Sequence, residues 1–468
     1  MEPINMGFIS LVPAIIAIVL SFATRNTVVS LIVAIIVGTF LAGQGILGFP
    51  ALLRSSIGTS GFAWVMLLNT FIGVLVAFFQ KTGAIQGFSQ YIQDKNLTQR
   101  SIRLVAWLLG FVVYFSDSFS PLFVGSTMRN ISDKAKISRE KLAYIADSGA
   151  APVSVIVPIT GWAAYLSGLA IGVGTIANQD DAMSLFVRAI PYNLYALITI
   201  VFVGLVAAGI IKDFGPMKKA EDRARNEGKL LRDGAVPLVG KELTEMEAYP
   251  GIKPKVFLNF LLPVLLIIAI ALGTYVITNS AKTMEAFLLV IIFMAISMFT
   301  QGIPMKEIMD TATNGIKGAV PAVMILALAY TIKELSVDMG TANYIISNTE
   351  GFLTPQVLPA VIFIIAAIVA FSTGTSWGTF ANTMPIALPL AFNFTGGELT
   401  PLVMASFAAV AGGGVFGDHC SPLSDTTILA STGAAADHID HVKTQLPYAL
   451  ITGSMALIVY LIIGFTSF

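Results

Sequence analysis

The chain has 468 residues, 56% hydrophobic and only 12% charged, against about 25% charged in a soluble protein. With a mean hydropathy of +0.82 and a formal net charge of zero, a soluble globular protein is excluded, and no charge excess points to a nucleic-acid partner. The single cysteine, Cys420, excludes an intrachain disulfide and a cysteine metal cluster.

Apolar runs at 7–23, 27–42 and 62–79 each approach the ~20 residues that carry a helix across hydrocarbon. No positive n-region precedes the first, so it is expected to remain as a span. Segment 52–61 reads as a short interfacial helix. The apolar block 104–124 has basic residues on both sides: Lys95, Arg100 and Arg103 before it, Arg129, Lys134, Lys136, Arg139 and Lys141 after it. Basic loops stay on the cytoplasmic side, so this block is expected to enter and leave on one face as a re-entrant hairpin. Its tip would be Phe115-Ser-Asp-Ser-Phe-Ser-Pro-Leu122. The alternative is one ordinary span with a misplaced basic loop.

Segment 142–173 is too long for a plain span, and Asp147, Pro152 and Pro158 predict a helix broken near its middle. Residues 178–188 read as an outer loop and 189–211 as the return span. Segment 212–255 holds ten of the 27 Lys and Arg together with eight acids. It reads as a flexible cytoplasmic linker between membrane segments 1–211 and 256–468.

The second half repeats the plan. Spans are expected at 256–277, 286–299 and 319–335, with an amphipathic stretch at 306–317. Segment 352–394 is apolar but interrupted at Phe371-Ser-Thr-Gly-Thr-Ser-Trp-Gly378, and its flanks Asp338, Glu350 and Glu398 are acidic. Sliding the chain by roughly 250–260 residues aligns Pro13 with Pro263, Val65 with Val323, Gly83 with Gly340, and Phe115-Ser116 and Ser120 with Phe371-Ser372 and Ser376. The first half crosses an odd number of times on this reading, so the second is inverted. The expected fold is an all-α polytopic membrane protein of two inverted-topology repeats, each with a re-entrant hairpin and a broken transmembrane helix.

Gly412–Thr427 is the second broken helix. It carries two carboxylates, a histidine, four glycines and a proline between apolar segments, a composition that hydrocarbon does not tolerate unless protein or water surrounds it. Asp418, Asp425, Asp117 and Asp147 are the four carboxylates in apolar context. Sodium is a hard cation and takes oxygen ligands. Carboxylates with Ser120, Ser421, Thr426, Thr373, Thr375 and Ser376 supply them, and a carboxylate that binds either a proton or Na⁺ can exchange one for the other. His419 reads equally as a proton relay and as a satisfied hydrogen-bond partner. Asp437-His-Ile-Asp-His441 reads as a solvated polar turn, with a pH sensor and a metal site as alternatives. The cargo is therefore expected to be Na⁺ and H⁺, with no cofactor.

Gly417-Asp-His-Cys-Ser-Pro-Leu-Ser-Asp-Thr-Thr-Ile-Leu-Ala-Ser431, together with 371–378, resembles the NhaC family of Na⁺/H⁺ antiporters along nearly the whole chain. The resemblance implies a bacterial cytoplasmic-membrane antiporter within a superfamily of elevator-type carriers. It supports Asp418, Ser421, Asp425 and Thr426 best as site residues. The family also includes malate/lactate exchangers and proposed amino-acid carriers, so a Na⁺- or H⁺-coupled carrier of a small organic acid or amino acid stays open. No arginine in the apolar segments is placed to await a carboxylate, which counts against that alternative. An intramembrane hydrolase is disfavoured, since no His-Glu-x-x-His motif occurs. Oligomeric state is open, a homodimer included.

Overall fold

The computed structural model describes residues 6–24, 26–94, 98–114, 117–158, 160–240, 246–278, 282–348 and 354–466. Phe115 and Ser116 of the expected first hairpin tip, and the flank Glu350, lie outside them. The first half builds α1 (Val12–Thr24), α2 (Thr27–Leu41), α3 (Gly48–Ile57), α4 (Ser60–Lys81), α5 (Ala84–Asp94), α6 (Gln99–Val112), α7 (Phe119–Lys134), α8 (Arg139–Ser148), α9 (Ala151–Ser154), α10 (Gly161–Gly168), α11 (Gln179–Ala189) and α12 (Leu194–Ala207). Then come α13 (Gly215–Glu227), α14 (Leu262–Thr278), α15 (Thr283–Thr300), α16 (Met305–Asp338), α17 (Thr341–Ser347), α18 (Leu358–Thr373), α19 (Ser376–Phe394), α20 (Pro401–His419), α21 (Asp425–Ala434) and α22 (His438–Thr466).

Among the described residues, four helices are long and apolar enough to cross a membrane: Phe62–Lys81, Met305–Asp338, Pro401–His419 and His438–Thr466. Asp180–Tyr192 with Leu194–Ala207, bent by 48°, offers a fifth span. Other apolar helices are shorter; α18, with 16 residues, rises ~24 Å of a hydrocarbon layer ~30 Å thick. Side chains such as Ile277, Leu289, Ile296, Ile458 and Ile462 are exposed on the outside, while Asp147, Asp418, His419 and His441 are buried. Apolar faces outward and ionisable groups inward are the arrangement of a multi-pass membrane protein.

The buried apolar side chains form two main clusters. One gathers α1–α8 with α14–α16 and α21, the other gathers α9–α11 with α18–α20, and α12 and α22 contribute to both. The helix breaks fall along the seam. Val415 belongs to one cluster and Ile428 to the other, with the 420–424 turn between them. Ala146 and Ala151 are divided in the same way across Gly149.

Four expectations change. Residues 178–188 are not a loop: Asn178 Oδ1 accepts the N–H groups of Asp180 and Asp181 at 2.9 and 3.0 Å, and two acids in the first turn suit the helix dipole. The stretches 306–317 and 319–335 merge into one 34-residue helix that runs through Pro321. The linker is not a loose tether, because α13 packs on α8 and α22. There the carboxylate of the buried Glu221 accepts the Ser138 N–H and Oγ–H at 2.8 Å each. Asp437–His441 is not solvated. Asp437 pairs with Pro237 as an isolated antiparallel bridge, its Oδ2 accepts the Val236 N–H at 2.9 Å, and Arg232 donates to Asp440 at 2.8 Å. His438, buried, sits 3.1 Å from Ser431 Oγ and 2.9 Å from Pro422 O.

Candidate ion site at two helix breaks

The α18–α19 turn and the α20–α21 break are pressed together. Gly374 ends α18 in the left-handed region at φ 67°, and a Cβ there would stand 2.6 Å from Leu423 O. Glycine alone meets both demands. Thr375 caps α19, its Oγ1 accepting the Gly378 N–H at 3.4 Å. The next residue carries the contact that organises the site: Ser376 donates its backbone N–H at 3.1 Å and its Oγ–H at 2.5 Å to Asp418 Oδ2. The carboxylate at the end of α20 therefore faces the positive N-terminus of α19. Its other oxygen, Oδ1, is buried and makes no hydrogen bond to the described residues. Ser421 ties the two breaks together, donating to Phe371 O at 2.7 Å and accepting the Leu423 N–H at 3.1 Å.

Asp425 opens α21, where Ser424 caps the helix by accepting the Thr426 N–H at 3.2 Å and lies 3.0 Å from Thr426 Oγ1. Tyr330 on α16 donates to Asp425 Oδ2 at 3.4 Å. Lys333, one turn further along α16, is the cation in electrostatic reach of Asp425. Asp117 comes in from the turn between α6 and α7. It lies within electrostatic range of both Asp425 and Asp418, and the Trp377 indole N–H faces it. Ser120, in the first turn of α7, is buried, and its hydroxyl has no partner among the described residues. Three carboxylates from two chain halves thus converge with one lysine. Thr373 points elsewhere, its hydroxyl donating to Val369 O at 2.7 Å within α18.

Asp147 belongs to a second buried polar group. Its Oδ2 accepts from His441 Nε2 at 3.2 Å and from Gln445 Nε2 at 2.7 Å. Gln445 also donates to the His419 carbonyl and lies 3.3 Å from His419 Nδ1. His419 Nε2 in turn meets the Tyr195 hydroxyl. His419 is hence placed in this group, beside Asp147, while its neighbour Asp418 turns to Ser376. The two polar groups are joined through residues 418 and 419.

Tyr330, Lys333, Tyr195 and Gln445 escaped the sequence reading. A lysine one turn from the end of an apolar run was a legible signal for Lys333. Nothing local marks Tyr195 or Gln445, which matter through partners 224 and 26 residues distant. One further pattern was passed over: Gly374-Thr-Ser-Trp-Gly378 has the bare spacing of a nucleophile elbow. It joins two helices instead of a strand and a helix. Its serine bonds to Asp418, and the nearby His419 ring is turned to Tyr195.

The sequence model of the Na⁺/H⁺ antiporter family matches residues 162–465. An uncharacterised protein of Haemophilus influenzae is 34% identical over 98% of the chain and 91% of its own length. The arginine/ornithine antiporter ArcD of Halobacterium salinarum is 34% identical over 36% of the chain and 34% of its own. The malate-2H⁺/Na⁺-lactate antiporter of Bacillus subtilis is 29% identical over 44% of each.

Proposed function

Because this chain belongs to the Na⁺/H⁺ antiporter family, and is thereby a secondary antiporter of the membrane, we propose that it exchanges Na⁺ for protons at Asp418, Asp425 and Asp117. The observation that carries this reading is Asp418. One oxygen is held by two donors at the start of α19, and the other, Oδ1, is buried and has no partner at hydrogen-bond distance among the described residues, with the Ser424 hydroxyl facing this carboxylate. A buried carboxylate oxygen without a partner is costly unless a proton or a cation takes it. Asp425 and Asp117, with the Ser424 and Ser120 hydroxyls, supply further hard oxygens around it. Protonation and Na⁺ binding are then alternatives at one place, and alternation between the two membrane faces turns that competition into exchange.

The architecture we propose around the site is two inverted repeats in which the connections from α6 to α7 and from α18 to α19 are the tips of re-entrant hairpins. Gly83 and Gly340, aligned by the repeat, both end long helices in the left-handed region, at φ 67° and 70°, which supports this reading. The membrane is the bacterial cytoplasmic one on the same reading. The relatives named as arginine/ornithine and malate/lactate antiporters support a second one, coupled carriage of an organic or amino acid.

Competition makes a quantitative demand. In everted vesicles carrying a pH-sensitive dye, added Na⁺ should move protons. The half-saturating Na⁺ should fall as pH rises, by up to about tenfold per pH unit while protons hold the site. A Na⁺ requirement independent of pH would reject a shared site, and no proton movement at any pH would reject exchange.

A further inference from the structure

Among the side chains named at the ion site, Trp377 is the largest and the most exposed. It follows Ser376, which is fully buried against Asp418, yet it is itself 36% exposed. Its backbone belongs to the helix start that holds Asp418, while its indole reaches across to the first half of the chain. There the ring centroid lies 4.8 Å from that of Tyr165 and 5.6 Å from that of Trp162, both on α10. The indole N–H faces the Asp117 carboxylate, and the Tyr165 hydroxyl donates to Trp377 O at 3.4 Å. One side chain thus touches the start of α19, α10 and the connection from α6 to α7.

The surroundings differ on the two sides of this ring. Inward lie the buried Ser376 and Asp418. Outward, α19 presents Asn382 and Pro385 as exposed residues, and the Asn382 amide donates to Gly378 O at 2.7 Å. A polar amide on an exposed face is costly in hydrocarbon and suits water. The holds on the ring are individually weak: one edge-on contact, one tilted contact and a long hydrogen bond to its backbone. The indole is a donor only, so its N–H favours the ionised Asp117 and fixes that carboxylate's direction. A bulky ring held by several weak contacts at the rim of a polar site is suited to open and close it.

We propose that Trp377 is both the gate of the ion site and the residue that positions Asp117: its ring closes the carboxylates off on the α10–α19 side, and its N–H latches the ring to Asp117. The inference takes its carboxylates from the ion site proposed above, but the access it describes is measurable whatever the cargo. The purified full chain in detergent is treated with a water-soluble carbodiimide and glycine ethyl ester at pH 6, and labelled carboxylates are located by peptide mass spectrometry. Trp377→Ala should label Asp117 and Asp418 at least tenfold faster than the parent. Trp377→Phe, which keeps a ring and loses the N–H, should fall between. Asp147, buried in the other polar group, should stay unlabelled in all three, as a gate requires and a loosened fold does not. The proposal is overturned if Trp377→Ala labels at the parental rate, if Asp147 becomes labelled together with Asp418, or if Trp377→Phe equals the parent. Repeating the series with Na⁺ in place of choline separates the two readings. A rate set by Trp377 that Na⁺ does not slow would uphold the gate and reject Na⁺ as the ligand. Should Trp377→Ala fail to fold, Trp377→Phe against the parent decides alone, and a rise of less than about threefold sinks the gate.

Discussion

Asp418 concentrates the chemistry in one side chain because its two oxygens live in different surroundings. Oδ2 accepts from a serine hydroxyl and a helix N-terminus; Oδ1 has no partner at hydrogen-bond distance among the described residues. Asp418→Asn keeps the shape and removes the exchangeable charge, so Na⁺-driven proton movement should fall by at least about tenfold, read in vesicles with equal amounts of inserted protein. Ser376→Ala removes one of the two donors that favour the ionised form. A hydrogen bond to a charged group is worth about 1.5–3 kcal/mol, so protons should gain on Na⁺ and the half-saturating Na⁺ at fixed pH should rise about tenfold or more. Thr373→Ala is the control, since that hydroxyl serves only its own helix; its exchange kinetics should match the parent's.

Among the elements, α18 and α20 are pressed together by glycine. A Cβ on Gly417 would stand 2.1 Å from Ala367 O, and one on Gly413 would stand 2.5 Å from Phe363 O. Neither contact can be relieved by a side-chain rotation, because the obstacle is backbone. Asp418 follows Gly417 directly, so this close approach also sets how far the carboxylate is from Ser376. Gly417→Ala should therefore lower stability by more than the ~1–3 kcal/mol of ordinary overpacking, and it should weaken Na⁺ binding even in the fraction that folds. Thermal melting with and without Na⁺ measures both. A variant with parental melting would show that the two helices are free to separate.

For the whole molecule, the charged segment between the halves works as a clamp. It reaches α8 through Glu221, Arg223 and Asp213, and α22 through Arg232 and the Pro237–Asp437 bridge. Lys141, fully buried, pairs with Asp213, and Arg223 grips Glu140 at 2.8 Å. Glu221→Ala strands the two Ser138 donors in a buried place. It should cost about 1–3 kcal/mol, visible as a lower melting temperature in detergent. Removing the exposed Lys229–Asp233 pair should leave the melt unchanged, since such pairs are screened by water. Equal losses in the two variants would mean the linker is loose in solution.

Much of this was present in the order of residues. Hydropathy marks the membrane class, and glycine, proline and acid crowded into 412–427 mark a break. Caps such as Asn178, Ser138 and Ser424 declare helix starts, because these signals act within a few residues. Even so, α11 was read as a loop and Asp437–His441 as solvated, since polar residues look alike in sequence whether water or protein satisfies them. The fold alone decided partners: that Asp418 would take Ser376, that Asp147 would take His441 and Gln445, and that Arg129, counted as part of a basic flank, would be buried. Pairing between residues dozens or hundreds apart depends on which helices pack together, and an ionisable group acquires its role from that packing.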